Sequence, residues 1–175
     1  MKVLLFLFCL LAPIRIISAT DYGTVFMYHR FNEPNHPSTN ISEKVFRDHL
    51  VYLKENNFNV LPISRLIDFF KDTSPLPEKS VFITVDDGYK SFYNIALPML
   101  LEFEFPFSIF ISTDYVSENP NSNFMSWDML REIKEYGGSI YNHVSDHSNL
   151  NNFSEEEIIL KIKKASHETV SYTHL

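Results

Sequence analysis

The chain has 175 residues, 45% of them hydrophobic, with 15 basic side chains against 22 acidic ones and a net charge of −7. That length and apolar content suffice for one domain with its own core and exclude a disordered tail. The acidic balance argues against nucleic acid as a partner, and the single cysteine, Cys9, lies so close to the N-terminus that the rest of the chain can form neither a disulfide nor a thiolate ligand set.

From the N-terminus, Lys2 precedes an apolar run from Val3 to Ala12, and Ile17-Ser18-Ala19 offers a small residue for cleavage. This pattern predicts a secretory signal peptide over residues 1–19, an extracytoplasmic (secreted or periplasmic) mature chain over 20–175, and no membrane span once the signal is removed. The run is short for a bilayer, although Arg15 in the cleavage region leaves an uncleaved anchor as the alternative. Cleavage would leave 13 basic residues against 22 acidic ones, a balance that suits a neutral or cationic substrate better than a polyanion.

Beyond the signal, β-rich apolar runs alternate with segments of helical period. Strands are predicted at Thr24–Tyr28, Phe58–Leu61, Val81–Val85, Phe107–Ile111 and Ser139–Asn142. Ser42 caps a helix with Val45, Phe46, His49, Leu50 and Leu53 on one face, and Ser64 caps a shorter helix through Phe70. A third helix follows Ser91 and is bent or interrupted by Pro98; a fourth runs from Ser126 to the Gly137-Gly138 pair. Ser154 with Glu157 makes a capping box for a last helix reaching about His167. Lys71–Lys79 and Ser117–Asn123 read as loops. This alternation predicts an α/β fold with a parallel sheet, and five units make it an open sheet or an incomplete barrel.

Thr84-Val85-Asp86-Asp87-Gly88 closes an apolar strand with two adjacent carboxylates, placing them at the C-terminal edge of the sheet, where α/β proteins build their sites. Successive residues of an extended chain point different ways, so one carboxylate can bind a metal while the other faces a substrate. An ordinary solvated Asp-Gly turn explains the pentapeptide equally well. His143-Val144-Ser145-Asp146-His147 follows another strand, and a helical or tight-turn backbone would bring both rings to one side of a metal. Alone, such a pair is more often a surface coincidence; together with a carboxylate it makes a facial set that leaves positions open for water and substrate.

These two motifs, joined by βα units, resemble the first two motifs of the polysaccharide deacetylase family (NodB homology, carbohydrate esterase family four). The resemblance spans about residues 24–167 and includes, less specifically, Tyr28-His29-Arg30-Phe31 and Ser126-Trp127. It implies a distorted (β/α) barrel, here an incomplete one holding the N-terminal part of the domain, with Asp86 as general base and Asp87, His143 and His147 as ligands of a divalent ion, zinc first. The implied reaction is hydrolysis of N-acetyl groups on an amino-sugar polysaccharide. Other readings stay open: a hydrolase of O-acetyl or other acyl groups, and a secreted carbohydrate-binding module of the same fold without catalysis.

Two departures from the family pattern stand out. Val144 replaces the usual Ser or Thr after the first histidine, leaving its hydrogen bond absent or supplied by Ser145. The later arginine-proline and leucine-histidine motifs, the second of which supplies the general acid, do not occur before Leu175; His167 and His174 have the wrong surroundings for that acid, and Thr169–Leu175 shows no capping or strand logic, so an inactive N-terminal part of such an enzyme stays open as an expectation beside an active one. His29 and Trp127 are further candidates for substrate contact, with solvation and core packing as the plainer explanations. His49 reads as a packing residue.

Overall fold

The computed structural model describes residues 19–71 and 74–173. The first half contains β1 (Ala19–Thr20), β2 (Thr24–Tyr28), β3 (Arg30–Phe31), β4 (Asn40–Ile41), α1 (Glu43–Glu55), β5 (Asn59–Val60) and α2 (Ile63–Phe70). There follow β6 (Leu76–Pro77), β7 (Ser80–Asp87), α3 (Leu97–Phe103), β8 (Ser108–Ile111), α4 (Trp127–Glu135), β9 (Ser139–Asn142) and α5 (Glu155–Thr173). Residues 1–18 of the predicted signal segment lie outside the described residues, and β1 starts at Ala19, where that segment is expected to end. No described helix is long and apolar enough to cross a membrane.

The main sheet is parallel, in the order β2-β7-β8-β9, and β5 pairs with the start of β7. All eight residues of β7 are buried, so this strand is covered on both faces, as a parallel sheet requires. Val81, Ile83 and Val85 share a core with Ile109 and Ile111 of β8, Phe46, Leu50 and Leu53 of α1, Leu97 and Leu100 of α3, and Leu130 and Ile133 of α4. Each such side chain contributes about 1.5–3 kcal/mol on burial. The opposite face of β7 presents Phe82, Thr84 and Asp86, with Thr84 paired to Ser108 and Asp86 to Phe110.

Three predicted caps act as expected. Ser42 accepts from the Val45 amide at 3.3 Å, Ser126 from the Met129 amide at 3.3 Å, and Ser154 and Glu157 bond reciprocally at the start of α5. Other expectations need correction. Pro62, not Ser64, sits at the cap of α2, because its fixed φ suits the helix entrance and Ser64 already lies inside. The interruption expected at Pro98 is present: a π-helical turn over Phe92–Ala96 after Ser91 precedes α3, spanning Asn94, four residues before Pro98, whose carbonyl a proline cannot bond. β6 interrupts the Lys71–Lys79 loop by pairing with β1. α5 continues to Thr173, six residues past the expected end, with Ala165 and Thr169 buried and the Thr169 hydroxyl donating to the Ala165 carbonyl at 2.8 Å.

Candidate metal centre

β7 remains paired through both aspartates, Asp86 opposite Phe110 and Asp87 opposite Ile111, so the neighbouring strand fixes the backbone of the acidic pair. The two carboxylates then diverge because Asp87 takes a left-handed conformation (φ 72°), followed by Gly88 (φ 81°). Aspartate tolerates this region better than most residues. A Cβ on Gly88 would also lie 3.3 Å from Ile111 Cγ2, so the turn is both conformationally and sterically suited to glycine.

The histidines arrive from β9. The His143 amide donates to the Ile111 carbonyl at 2.7 Å, which ties the start of their loop to β8. The backbone then turns left-handed at Val144 (φ 65°) and again at His147 (φ 53°). Each costs about 1–3 kcal/mol, more for a β-branched valine, and persists only where the surroundings hold it. Asn142 accepts from the Val144 amide at 3.4 Å and donates to Ser166 of α5 at 2.6 Å, while the Ser145 carbonyl accepts from the Asp114 amide at 2.8 Å. Ser145 is buried, and Ser112 donates to the His143 carbonyl at 3.2 Å.

The result brings Asp87, His143 and His147 together: one donor atom from each lies within 4.8 Å of the others. Asp87 Oδ1 is 3.0 Å from His147 Nε2 and 3.6 Å from His143 Nε2. Yet this oxygen is buried with no aligned hydrogen bond among the described residues. A buried carboxylate oxygen facing two imidazole nitrogens without an N–H aimed at it fits a divalent cation, and the N, N, O donor set suits zinc and related ions. The histidine side chains are 36% and 50% exposed, so the centre is open to solvent on their side and closed on the aspartate side.

Asp86 is buried beside this group. Burial raises its pKa above the ordinary carboxylate value; the charges of His143, His29 and His147 oppose the shift and that of Asp87 adds to it. Half-buried His29 therefore lies within electrostatic reach of Asp86. The Trp127 ring stacks on Tyr172 of α5 with centroids 4.5 Å apart and packs against the core. His49 does more than pack, since its Nδ1 meets the Tyr28 hydroxyl at 3.0 Å.

Sequence reading overlooked the supports. The Arg30 guanidinium lies 3.5 Å from the centre of the Tyr89 ring and binds Glu33 at 2.6 Å. Tyr89, Phe124 and Tyr115 form a stacked row, and the Tyr115 hydroxyl donates to the Asp146 carbonyl at 3.3 Å. Tyr89 follows the acidic motif directly and Arg30 lies within the segment Tyr28-His29-Arg30-Phe31, whereas Phe124 and Tyr115 come from segments distant in sequence.

The family model described as polysaccharide deacetylase matches residues 73–174. The chain belongs to this family. Among its relatives, a poly-β-1,6-N-acetyl-D-glucosamine N-deacetylase of Staphylococcus aureus is 27% identical over 148 residues, covering 83% of this chain and 49% of that protein. One of Escherichia coli with the same name is 35% identical over 66 residues, 38% of this chain and 10% of the relative. The chain spans about half the length of the curated relatives that match most of it. The solved structure of IcaB from Ammonifex degensii superposes with a TM-score of 0.78 at 22% identity, covering 90% of this chain and 72% of that one. A Streptococcus pyogenes deacetylase, PplD, solved in complex with acetate, gives 0.77 at 19%, covering 86% and 69%. These likenesses establish the fold as that of the family, with the deacetylase β/α architecture present here as an open parallel sheet.

Proposed function

We propose that the protein is a metal-dependent deacetylase that hydrolyses N-acetyl groups on an amino-sugar polysaccharide, a polymer of N-acetylglucosamine being the first candidate. The observation that carries this reading is the convergence of Asp87, His143 and His147 on one small space beside a second, buried carboxylate, Asp86. The relatives' names point to the same chemistry on poly-β-1,6-N-acetylglucosamine. Residues 1–19 would direct export, as access to an extracytoplasmic polymer requires, leaving 20–175 as the part belonging to the deacetylase domain.

In the mechanism, a divalent ion such as zinc, held by Asp87, His143 and His147, would supply Lewis acidity toward the acetyl carbonyl and make a bound water more acidic. Asp86 acts as general base. Its carboxylate takes a proton from water as the water oxygen attacks the acetyl carbon, and when the C–N bond breaks that same proton passes from Asp86 to the leaving nitrogen, giving acetate and a free amine. A raised pKa makes Asp86 a stronger proton acceptor than a solvated aspartate. Asp87, turned away by its left-handed backbone, serves binding instead. His29, within electrostatic reach of Asp86, would contact the substrate there.

The test is to incubate the purified protein with an N-acetylglucosamine polymer and to measure acetate and free amine together. Equal release of both, lost with a chelator and restored by zinc, is expected. Acetate without amine would identify an O-acyl esterase, and binding of the polymer without either product would identify a binding module.

A further inference from the structure

We propose that Asp146 and Lys161 form a positioning pair that holds the loop carrying the two histidines, so that α5 governs how tightly the centre binds its ion. The proposal rests on reading Asp87, His143 and His147 as metal ligands. Asp146 lies inside the loop but is not one of the converging donors. Its side chain is used for other contacts: Oδ1 accepts from the Ser148 amide at 3.3 Å and the Ser148 hydroxyl at 2.7 Å, and Oδ2 accepts from Lys161 Nζ at 2.5 Å. Its backbone carbonyl takes the Tyr115 hydroxyl. One residue thus links the loop to itself, to the segment after β8 and to α5.

The need for such a link comes from the backbone. Val144 and His147, one on either side of Asp146 in the loop, are both left-handed, and neither is glycine. Without tethers such a segment relaxes toward ordinary φ values, and the imidazole of His147, whose own backbone is left-handed, would swing away from Asp87. The Lys161–Asp146 pair is suited to resist this. Its side chains are 21% and 35% exposed, against 83% and 57% for the Lys44–Asp48 pair on α1, and the Lys161 ammonium also lies 4.3 Å from the Phe153 ring centre. Sheltered charges are less screened by solvent and lose less side-chain entropy on pairing than exposed ones. Two further contacts from α5, Lys164 to Asp114 at 2.6 Å and Ser166 to Asn142, secure the residues flanking the loop but do not touch it between its histidines.

The experiment titrates the full chain with Co²⁺, following visible absorption of the bound ion, and with Zn²⁺ by competition. Lys161→Met and Asp146→Asn should each weaken binding about tenfold and alter the cobalt spectrum, with an unchanged far-ultraviolet circular dichroism spectrum. Because both remove the same contact, the double variant should be little worse than either single one, and Lys161→Arg should restore most of the affinity. If Lys161→Met does not fold, Asp146→Asn with Lys161→Arg carries the same expectation. The proposal is overturned if Lys161→Met, or Asp146→Asn in its place, keeps the parent affinity and spectrum while His147→Ala abolishes binding, or if the two losses simply add. Should His147→Ala itself leave cobalt binding intact, the metal reading falls and the positioning pair with it.

Discussion

The two halves of the candidate centre are held by different physics. The carboxylates stand at the end of β7, a strand buried along its whole length and hydrogen-bonded to β2 on one flank and β8 on the other. The histidines follow β9, which ends the described sheet, is only partly buried, and leads into a loop with two left-handed residues. Asp86 and Asp87 are thus fixed by register, whereas His143 and His147 are fixed by side-chain tethers from other elements. A register cannot shift by a fraction of a residue; tethers can loosen singly. The carboxylate half should therefore respond to substitution in an all-or-none manner and the histidine half in graded steps.

The sharpest break of that contrast lies within the carboxylate half itself. Asp86→Asn should cut deacetylation by about 10²–10⁴-fold, because the attacking water loses its proton acceptor, yet leave metal affinity near that of the unmodified protein. Asp87→Asn should lower metal affinity first, and excess metal should recover part of the activity. A zinc titration of both variants, read with turnover, checks this. Loss of the ion in Asp86→Asn with its retention in Asp87→Asn would reverse the two roles.

A smaller effect compares the strands. Ile83 in β7 is fully buried, and Ile83→Ala should destabilise the fold by about 2–5 kcal/mol in urea unfolding. Ile140 in β9 is only partly buried against the core, so Ile140→Ala should cost less than half as much. Equal losses would mean that β9 is as firmly built into the sheet as β7, and the contrast would lose its basis.

The smallest expected effect concerns Tyr28, at the end of β2 beside the carboxylate strand. Burial raises its phenol pKa from 10.0 to about 12. Between those values the folded state holds a proton that the unfolded state has released, so stability is complete below the unfolded pKa and falls as pH rises from 10 toward 12. Tyr28→Phe should flatten this alkaline decline in thermal melts. An unchanged slope would show that another group causes it.

Much of this organisation was legible in the sequence because it rests on periodicity and caps. Thr24–Tyr28 and Ser139–Asn142 are strands to the residue, and Ser42, Ser126 and Ser154 cap their helices. β7 outran its prediction because polar Asp86 and Asp87 end the apolar run, while their backbones continue to pair with Phe110 and Ile111. α5 outran its own because burial of Thr169 overrides weak local propensity. The histidine loop was recognisable as a motif but not as a shape: nothing in Val144 announces a positive φ, and Lys161 carries no local sign that its partner lies 15 residues earlier. Contacts of that kind exist only once the helices have docked. The same holds for Trp127, whose place against Tyr172 is set by the meeting of α4 and α5.

The order of the sheet has a further consequence for biosynthesis. Along its main path the strands lie in the order in which they are made, β2, then β7, then β8, then β9, with β7 entering between β2 and the earlier short strand β5. A chain emerging from the ribosome can therefore lay β8 against β7 and β9 against β8 as each is made, once β7 has joined the waiting β2 and β5. The aspartates would be seated when β8 arrives, before the histidines have been translated. A cation could then be captured only after β9 and α5 had joined, so metal uptake would mark the late stage of assembly and would be absent from nascent chains halted before His143.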